Sequence, residues 1–306
     1  MFTLPFCIAV AAATWWLPGW TFSVRNMLGL AVCLLTTYIV METNGRHHII
    51  RIRTRMMSCV WLMLASSLSF MHPLGEPVLA AAFLCAAYHL LFRCYQRHRP
   101  QLDVFHAFLM LGVGSFFAPV MLAMAIPFFL YIAVFLRSLT RKSFWAGILG
   151  IAVPYWCYAV WCFTDPLHTS PSMERFPFVQ NIVWNWEGVL SLPFVWQVSA
   201  GVVALLAVVS IVHYLRTNYD DKIRTRMILY IYVSQSLLLM AVLAFLPEHY
   251  QTTMALLIVS ASPLIAHYFA LSRSILCTIF FFLSLLLTAG MAFLNYQMSS
   301  ASSGLS

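Results

Sequence analysis

The sequence predicts an all-α fold, a polytopic transmembrane helix bundle of about eleven spans. Three observations predict it. Of the 306 residues, 62% are apolar and only 8% are charged. A soluble domain carries about 25% charged residues, so this chain cannot clothe a water-facing surface and needs lipid as its main solvent. The apolar residues are gathered into runs near the length of about 20 helical residues that a bilayer core requires. The basic residues sit in short clusters between alternate pairs of those runs, the pattern of membrane topology.

The spans follow in order. Span 2–19 lacks a basic leading segment, and Trp15, Trp16 and Pro18 stand where a cleavage site would need small residues, so it is expected to remain as a helix. Span 26–42 ends at Glu42, before the loop that holds Arg46, Arg51, Arg53 and Arg55. Span 56–72 ends at Pro73. Span 76–92 opens on Glu76 and ends before Arg93, Arg97 and Arg99. Spans 104–118 and 121–136 are short and divided at Ala118–Pro119, which reads as a kink in one long hairpin or as a re-entrant element. The count therefore lies between nine and eleven. Span 144–163 follows Arg137, Arg141 and Lys142. Span 195–215 ends before Arg216, Lys222, Arg224 and Arg226, which lead into span 227–246. Spans 252–270 and 274–295 flank Arg273. The whole chain, 1–306, reads as a single integral membrane domain.

The even-numbered loops thus hold every basic residue except Arg25 and Arg175. Arginine and lysine stay on the cytoplasmic side, which places the amino terminus in the cytoplasm and, with eleven spans, the carboxyl terminus in the periplasm of a bacterial cytoplasmic (inner) membrane. The net charge of +8 does not imply nucleic acid, because the charges form no continuous face. Eight cysteines fall almost wholly inside apolar runs, with no Cys-x-x-Cys pair and no zinc spacing. Nothing in the motifs calls for a metal or a cofactor.

Residues 164–194 form one long external loop carrying Asp165, His168, Glu174, Arg175, Trp184, Trp186 and Glu187. Its aromatic stretch, Phe176 to Trp196, reads either as a helix lying in the membrane interface or as a lid over the bundle. An internal echo joins two inner loops: Ile52-Arg53-Thr54-Arg55-Met56 recurs as Ile223-Arg224-Thr225-Arg226-Met227. Pro73 and Glu76, with Tyr88-His89, find counterparts in Pro247 and Glu248, with His267-Tyr268. A parallel duplication and a coincidence among basic helix starts both account for it.

No Asp, Glu, Lys or Arg falls near the middle of any span. Ion-coupled transporters usually carry carboxylates or broken helices at mid-depth, so coupled transport is disfavoured. Glu76 and Glu248 stand at helix starts, where an acid is favoured by about 0.3–1 kcal/mol. His89, His106, His213 and His267 lie about one turn inside the basic boundary, where neutral imidazoles are ordinary. The sharper reading is a polar layer in which Arg53, Arg55, Arg224, Arg226, His89 and His267 meet an anionic lipid headgroup at the cytoplasmic face. A planar guanidinium donates two bonds at once to phosphate, and interfacial arginines attract anionic lipid at about 1 kcal/mol each. Gly112-Val113-Gly114-Ser115 reads as close helix packing.

Tyr95-Gln96, Phe105-His106-Ala107-Phe108, Gly112 to Ser115, Gly150 to Trp156 and Ser262 to Phe269 together resemble an uncharacterised family of bacterial polytopic membrane proteins, a domain of unknown function. That resemblance covers most of the chain and implies an inner-membrane location without an activity. The rhythm from Ala107 to Pro154 also resembles polytopic glycosyltransferases that use lipid-linked sugars. Those enzymes place an acid in the first external loop, and Gly19 to Arg25 holds none.

Two functional expectations follow. One is a non-enzymatic envelope protein, either an assembly component working with other envelope proteins or a lipid-handling protein. The other is an envelope enzyme acting on a polyprenyl-phosphate or lipid-linked substrate, with Asp165, Glu174 or Glu187 as catalytic acid or base.

Overall fold

The computed structural model of the chain describes residues 3–16, 23–164, 188–272 and 274–303. Every regular element among them is helical. Seven helices are long and apolar enough to cross a membrane. They are α2 (Val24–His47), α4 (Glu76–Leu91, continued by a 3-10 turn to Cys94), α8 (Arg141–Thr164), α9 (Phe194–Thr217), α10 (Ile223–Phe245), α11 (Tyr250–Leu271) and α12 (Ile275–Ser303). Shorter apolar helices are α1 (Thr3–Trp16), α3 (Met56–Ser66), α5 (Gln101–Gly114), and the pair α6 (Val120–Ala123) and α7 (Ala125–Val134). The chain divides into two compact units, Met1–Val78 with Asn185–Ser306, and Leu79–Trp184.

In the first unit α11 is the central helix. Of its apolar window 83% is buried, and α3, α9 and α10 pack around it. Its interior Pro263 cannot donate to Val259. The Ser262 hydroxyl reaches the Val259 carbonyl at 3.3 Å and the Ile258 carbonyl at 2.7 Å, so the proline does not leave a bare carbonyl in an apolar interior. Ser260 and Thr288 likewise turn their hydroxyls back onto their own helices. Side chains of this kind are polar in sequence yet tolerated in lipid.

Helix α3 is much shorter than its span of 56–72. It ends at Ser66, and a 3-10 turn over Ser69–Met71 follows. Eleven residues reach only about 16 Å. The chain nevertheless runs the full length of α2. Asn44 near the end of α2 donates to the Thr54 carbonyl at 3.1 Å, and Leu74 N–H donates to the carbonyl of Arg25 at its start, at 2.9 Å. Those two α2 positions are about 29 Å apart along the axis. The non-helical stretch is sheltered by protein, as lipid requires. The Trp15 indole donates to the His72 carbonyl at 2.7 Å and stacks on its ring, while the His72 ring reaches the Ser66 carbonyl at 3.0 Å. The close approach is made possible by Gly29, where a β-carbon would run into the His72 carbonyl oxygen.

The second unit is built on α5 against α8, its most extensive helix pair. Glycines set the approach: a β-carbon on Gly112 would lie 3.1 Å from Ile151 Cα, and one on Gly150 would lie 2.5 Å from the Phe105 carbonyl oxygen. This is the small-residue contact that membrane helices use in place of a hydrophobic driving force. Phe108, Phe128 and Tyr88 in the core, with the half-buried Phe129, meet through stacked, tilted and edge-on rings 4.3–6.2 Å apart. The stretch 121–136 is divided at Met124 into α6 and α7, and α5 stops at Gly114. Ser115, just past α5, donates to the Gly112 carbonyl at 2.6 Å and meets Tyr155 OH at 2.5 Å.

Outward faces are apolar. Only 22% of the apolar window of α8 and of α12 is buried, and these helices expose Trp145, Trp156, Trp161, Phe282, Leu286 and Phe293. Apolar helix faces of this kind do not persist in water. It fits a lipid boundary.

Candidate functional site

The loops that follow α2 and α9 meet at one end of the first unit, and both are rich in arginine. α2 stops at His48, whose left-handed backbone (φ 52) closes the helix. The turn that follows brings Arg51 to the connector after α9, where its guanidinium donates to the Asp220 carbonyl at 3.4 Å and stands 4.0 Å from the Asp220 carboxylate. Arg224, in the first turn of α10, donates to His47 Nδ1 at 2.9 Å, and Thr225 donates to the His48 carbonyl at 3.3 Å. The opposite end of this unit holds Arg25, His72, Trp196 and Tyr250, with Trp196 stacked on Tyr250 at 4.9 Å.

A polar cavity of about 200 Å³ opens at the arginine-bearing end, lined by Arg51, His213, Thr217, Asp220, Asp221, His267, Leu271 and Ser272. At its base His267 Nε2 lies 2.8 Å from Asp221 Oδ2, and both side chains are only 2% exposed. Tyr214 packs edge-on against the His267 ring at 5.4 Å and donates to the Arg226 carbonyl, fixing α10 beside the pair. Asp221 Oδ1 and His267 Nδ1 have no hydrogen-bond partner.

A second feature is an apolar groove of about 230 Å³ between α1, α3, α9, α11 and α12. Cys7, Met56, Val60, Leu206, Phe269 and Phe281 are among its walls. Met56 directly follows Arg55, and Phe269 and Phe281 lie within two turns of the same ends of α11 and α12. The groove therefore occupies the half of the first unit nearest the arginines. Its walls on α11, Ile265 and Phe269, are two residues from His267 and Leu271, so groove and polar cavity lie on opposite sides of that helix.

The expected headgroup residues are placed as follows. Arg53, Arg55 and Arg224 are exposed and Arg226 is half-buried, all at the arginine-bearing end of the first unit. His267 is not at the surface but buried on Asp221. His89 belongs to the second unit, half-buried. There the basic cluster is organised by an acid: Asp103, nearly buried, accepts from Arg97 at 2.8 Å and faces Arg93 at 3.2 Å. Asp165, Glu174 and Glu187, with His168, Arg175, Trp184 and Trp186, lie outside the described residues, as does Arg273. Of the aromatic stretch only its end is described, a 3-10 turn over Gly188–Ser191 and the start of α9. Among the described residues no group of three or more His, Cys, Asp or Glu could hold a metal ion.

Sequence reasoning missed Asp221 and Arg51. A connector acid reads as solvated, yet one signal was present: Asp220-Asp221 is an adjacent acid pair inside a loop otherwise selected for Arg216, Lys222, Arg224 and Arg226. No family model, no curated protein and no solved structure matches the chain.

Proposed function

We propose that this chain is a non-catalytic, multi-pass phospholipid-handling protein of a bacterial cytoplasmic membrane, with its arginine-bearing loops and amino terminus in the cytoplasm and its carboxyl terminus in the periplasm. The observation that carries the reading is the apolar groove whose wall residue Met56 directly follows the exposed Arg55. A lipid tail gains little by leaving other tails for a groove of similar polarity. Selection must therefore come from the head, and the arginines at this end of the unit would supply it, because a guanidinium matches phosphate in shape and charge.

The reading includes eleven crossings. It counts the shorter apolar helices α1, α5, and α6 with α7 as crossings, and α3 with residues 67–75 because residues 54 and 74 reach the two ends of α2. The echo at 52–56 and 223–227 is read as a parallel duplication on the strength of the matching sequence alone.

The test is native mass spectrometry of the protein purified in mild detergent. Wild type should retain about one phospholipid per chain. Val60→Trp, which fills the groove, and Arg55→Ala, which removes the charge next to wall residue Met56, should each lower occupancy about tenfold, corresponding to about 1.4 kcal/mol. Absence of retained phospholipid in wild type, or equal retention in all three, would contradict the reading.

A further inference from the structure

The apolar groove carries sulfur where α1 packs against α3. Cys7 stands on α1 and Cys59 on α3, each about one turn from the start of its helix. Both are thiols, and their side chains hydrogen-bond to one another across the helix contact. Met63 lines the same groove. It follows Cys59 by four residues, which sets the two on one face of α3. A helical side chain leans back over the turn before it, so the Met63 thioether is carried toward the thiol pair. Cys7 and Met63 are half-buried, and this part of the wall can be reached from the groove. Cysteine and methionine are ordinary packing residues. Here, however, three of them from two helices meet at one place in the wall of an open groove.

We propose that Cys7, Cys59 and Met63 form an all-sulfur site for a soft monovalent metal ion, Cu(I). Ligand type selects the ion. Thiolate and thioether sulfurs favour Cu(I), whereas hard cations need oxygen. Zinc takes thiolate, imidazole or carboxylate, almost always four of them in a structural site. No Asp, Glu or His is among the described residues that line the groove, so neither alternative is served. The spacing agrees as well. With metal–sulfur bonds of about 2.3 Å, two sulfurs in a trigonal site lie about 4 Å apart, which a pair already in hydrogen-bond contact meets without moving the helices. Each ligating cysteine gives up its thiol proton to solvent as its bond to the metal forms. Met63 donates a lone pair and has no proton to lose. Copper stays Cu(I) throughout, so no electron is transferred. The site needs only this wall of the groove and does not depend on a phospholipid being held there.

The full chain in mild detergent, reduced and kept under nitrogen, is titrated with Cu(I) against a competing Cu(I) chelator. Retained metal is counted by native mass spectrometry, and its ligands are read by X-ray absorption. Wild type should hold about one Cu(I) per chain, with only sulfur around the metal, and should not retain Zn(II) under the same competition. Cys7→Ser and Cys59→Ser should each weaken binding about a hundredfold, and Met63→Leu, which keeps the bulk and removes the sulfur, about tenfold. Cys157→Ser, at an exposed cysteine of α8, should leave binding unchanged. No retained Cu(I) in wild type, nitrogen or oxygen among its ligands, or equal retention of Zn(II) would overturn the proposal whether or not the variants fold. Undiminished retention in the Cys7→Ser, Cys59→Ser double variant would overturn it as well. Phospholipid is counted in the same spectra, so failure of the metal site and failure of the lipid reading are told apart.

Discussion

Small and charged residues at a handful of positions decide how closely these helices meet. Gly29 is one, because its missing β-carbon leaves room for the His72 carbonyl. Gly29→Ala should destabilise the protein by about 1–3 kcal/mol, the usual cost of overpacking, read as a lower thermal midpoint in detergent. Gly45→Ala, in open space on the same helix, should leave the midpoint unchanged or raise it, because alanine is the better helix former. Asp103 is a second such position. It is shared by Arg93 and Arg97, both partly exposed, so screening reduces its worth. Asp103→Asn should cost about 1.5 kcal/mol, the low end of the range for hydrogen bonds to charged groups. A midpoint equal to wild type would show that the two arginines need no acid between them. Gly112 was legible as a packing glycine from its small-residue neighbourhood. The role of Gly29 was not, since its partner is a backbone carbonyl forty-three residues away that no periodicity reveals.

At the scale of elements, apolar run length located the seven long helices well, because a helix that must satisfy its own backbone in lipid leaves a run of matching length. Run length failed where an apolar stretch does not stay helical. Residues 56–72 look like one helix because Leu68, Phe70 and Met71 are apolar, yet the helix ends at Ser66 and the remainder packs against protein. The observable consequence is proximity at both ends of α2. An Arg25→Cys, Leu74→Cys pair in a background without other cysteines should form a disulfide on mild oxidation, because those backbones hydrogen-bond at 2.9 Å. Failure to cross-link in membranes would mean that 54–74 does not run the length of α2. The polar cavity was only half legible for a related reason. His267 stood out as an ionisable residue inside an apolar run, whereas its partner Asp221 sits in a connector, where acids usually face water.

For the molecule as a whole, the seven long apolar helices and their exposed tryptophans and phenylalanines fit a lipid solvent. The asymmetry of the first unit then acquires meaning. One end gathers Arg51, Arg53, Arg55 and Arg224, and the other holds Arg25 beside Leu74 and His72. Positive residues resist translocation, so the arginine-bearing end is the one expected to stay in the cytoplasm, and the groove beside it would draw on the cytoplasmic leaflet. The most direct test is labelling with a membrane-impermeant thiol reagent. Arg53→Cys, Arg224→Cys and Gly75→Cys are placed singly in a background free of other cysteines and compared in intact cells and in inverted vesicles. The account predicts that Arg53→Cys and Arg224→Cys react only in inverted vesicles and Gly75→Cys only in intact cells. Reaction of all three from the same side, or of Arg53→Cys from outside the cell, would contradict it.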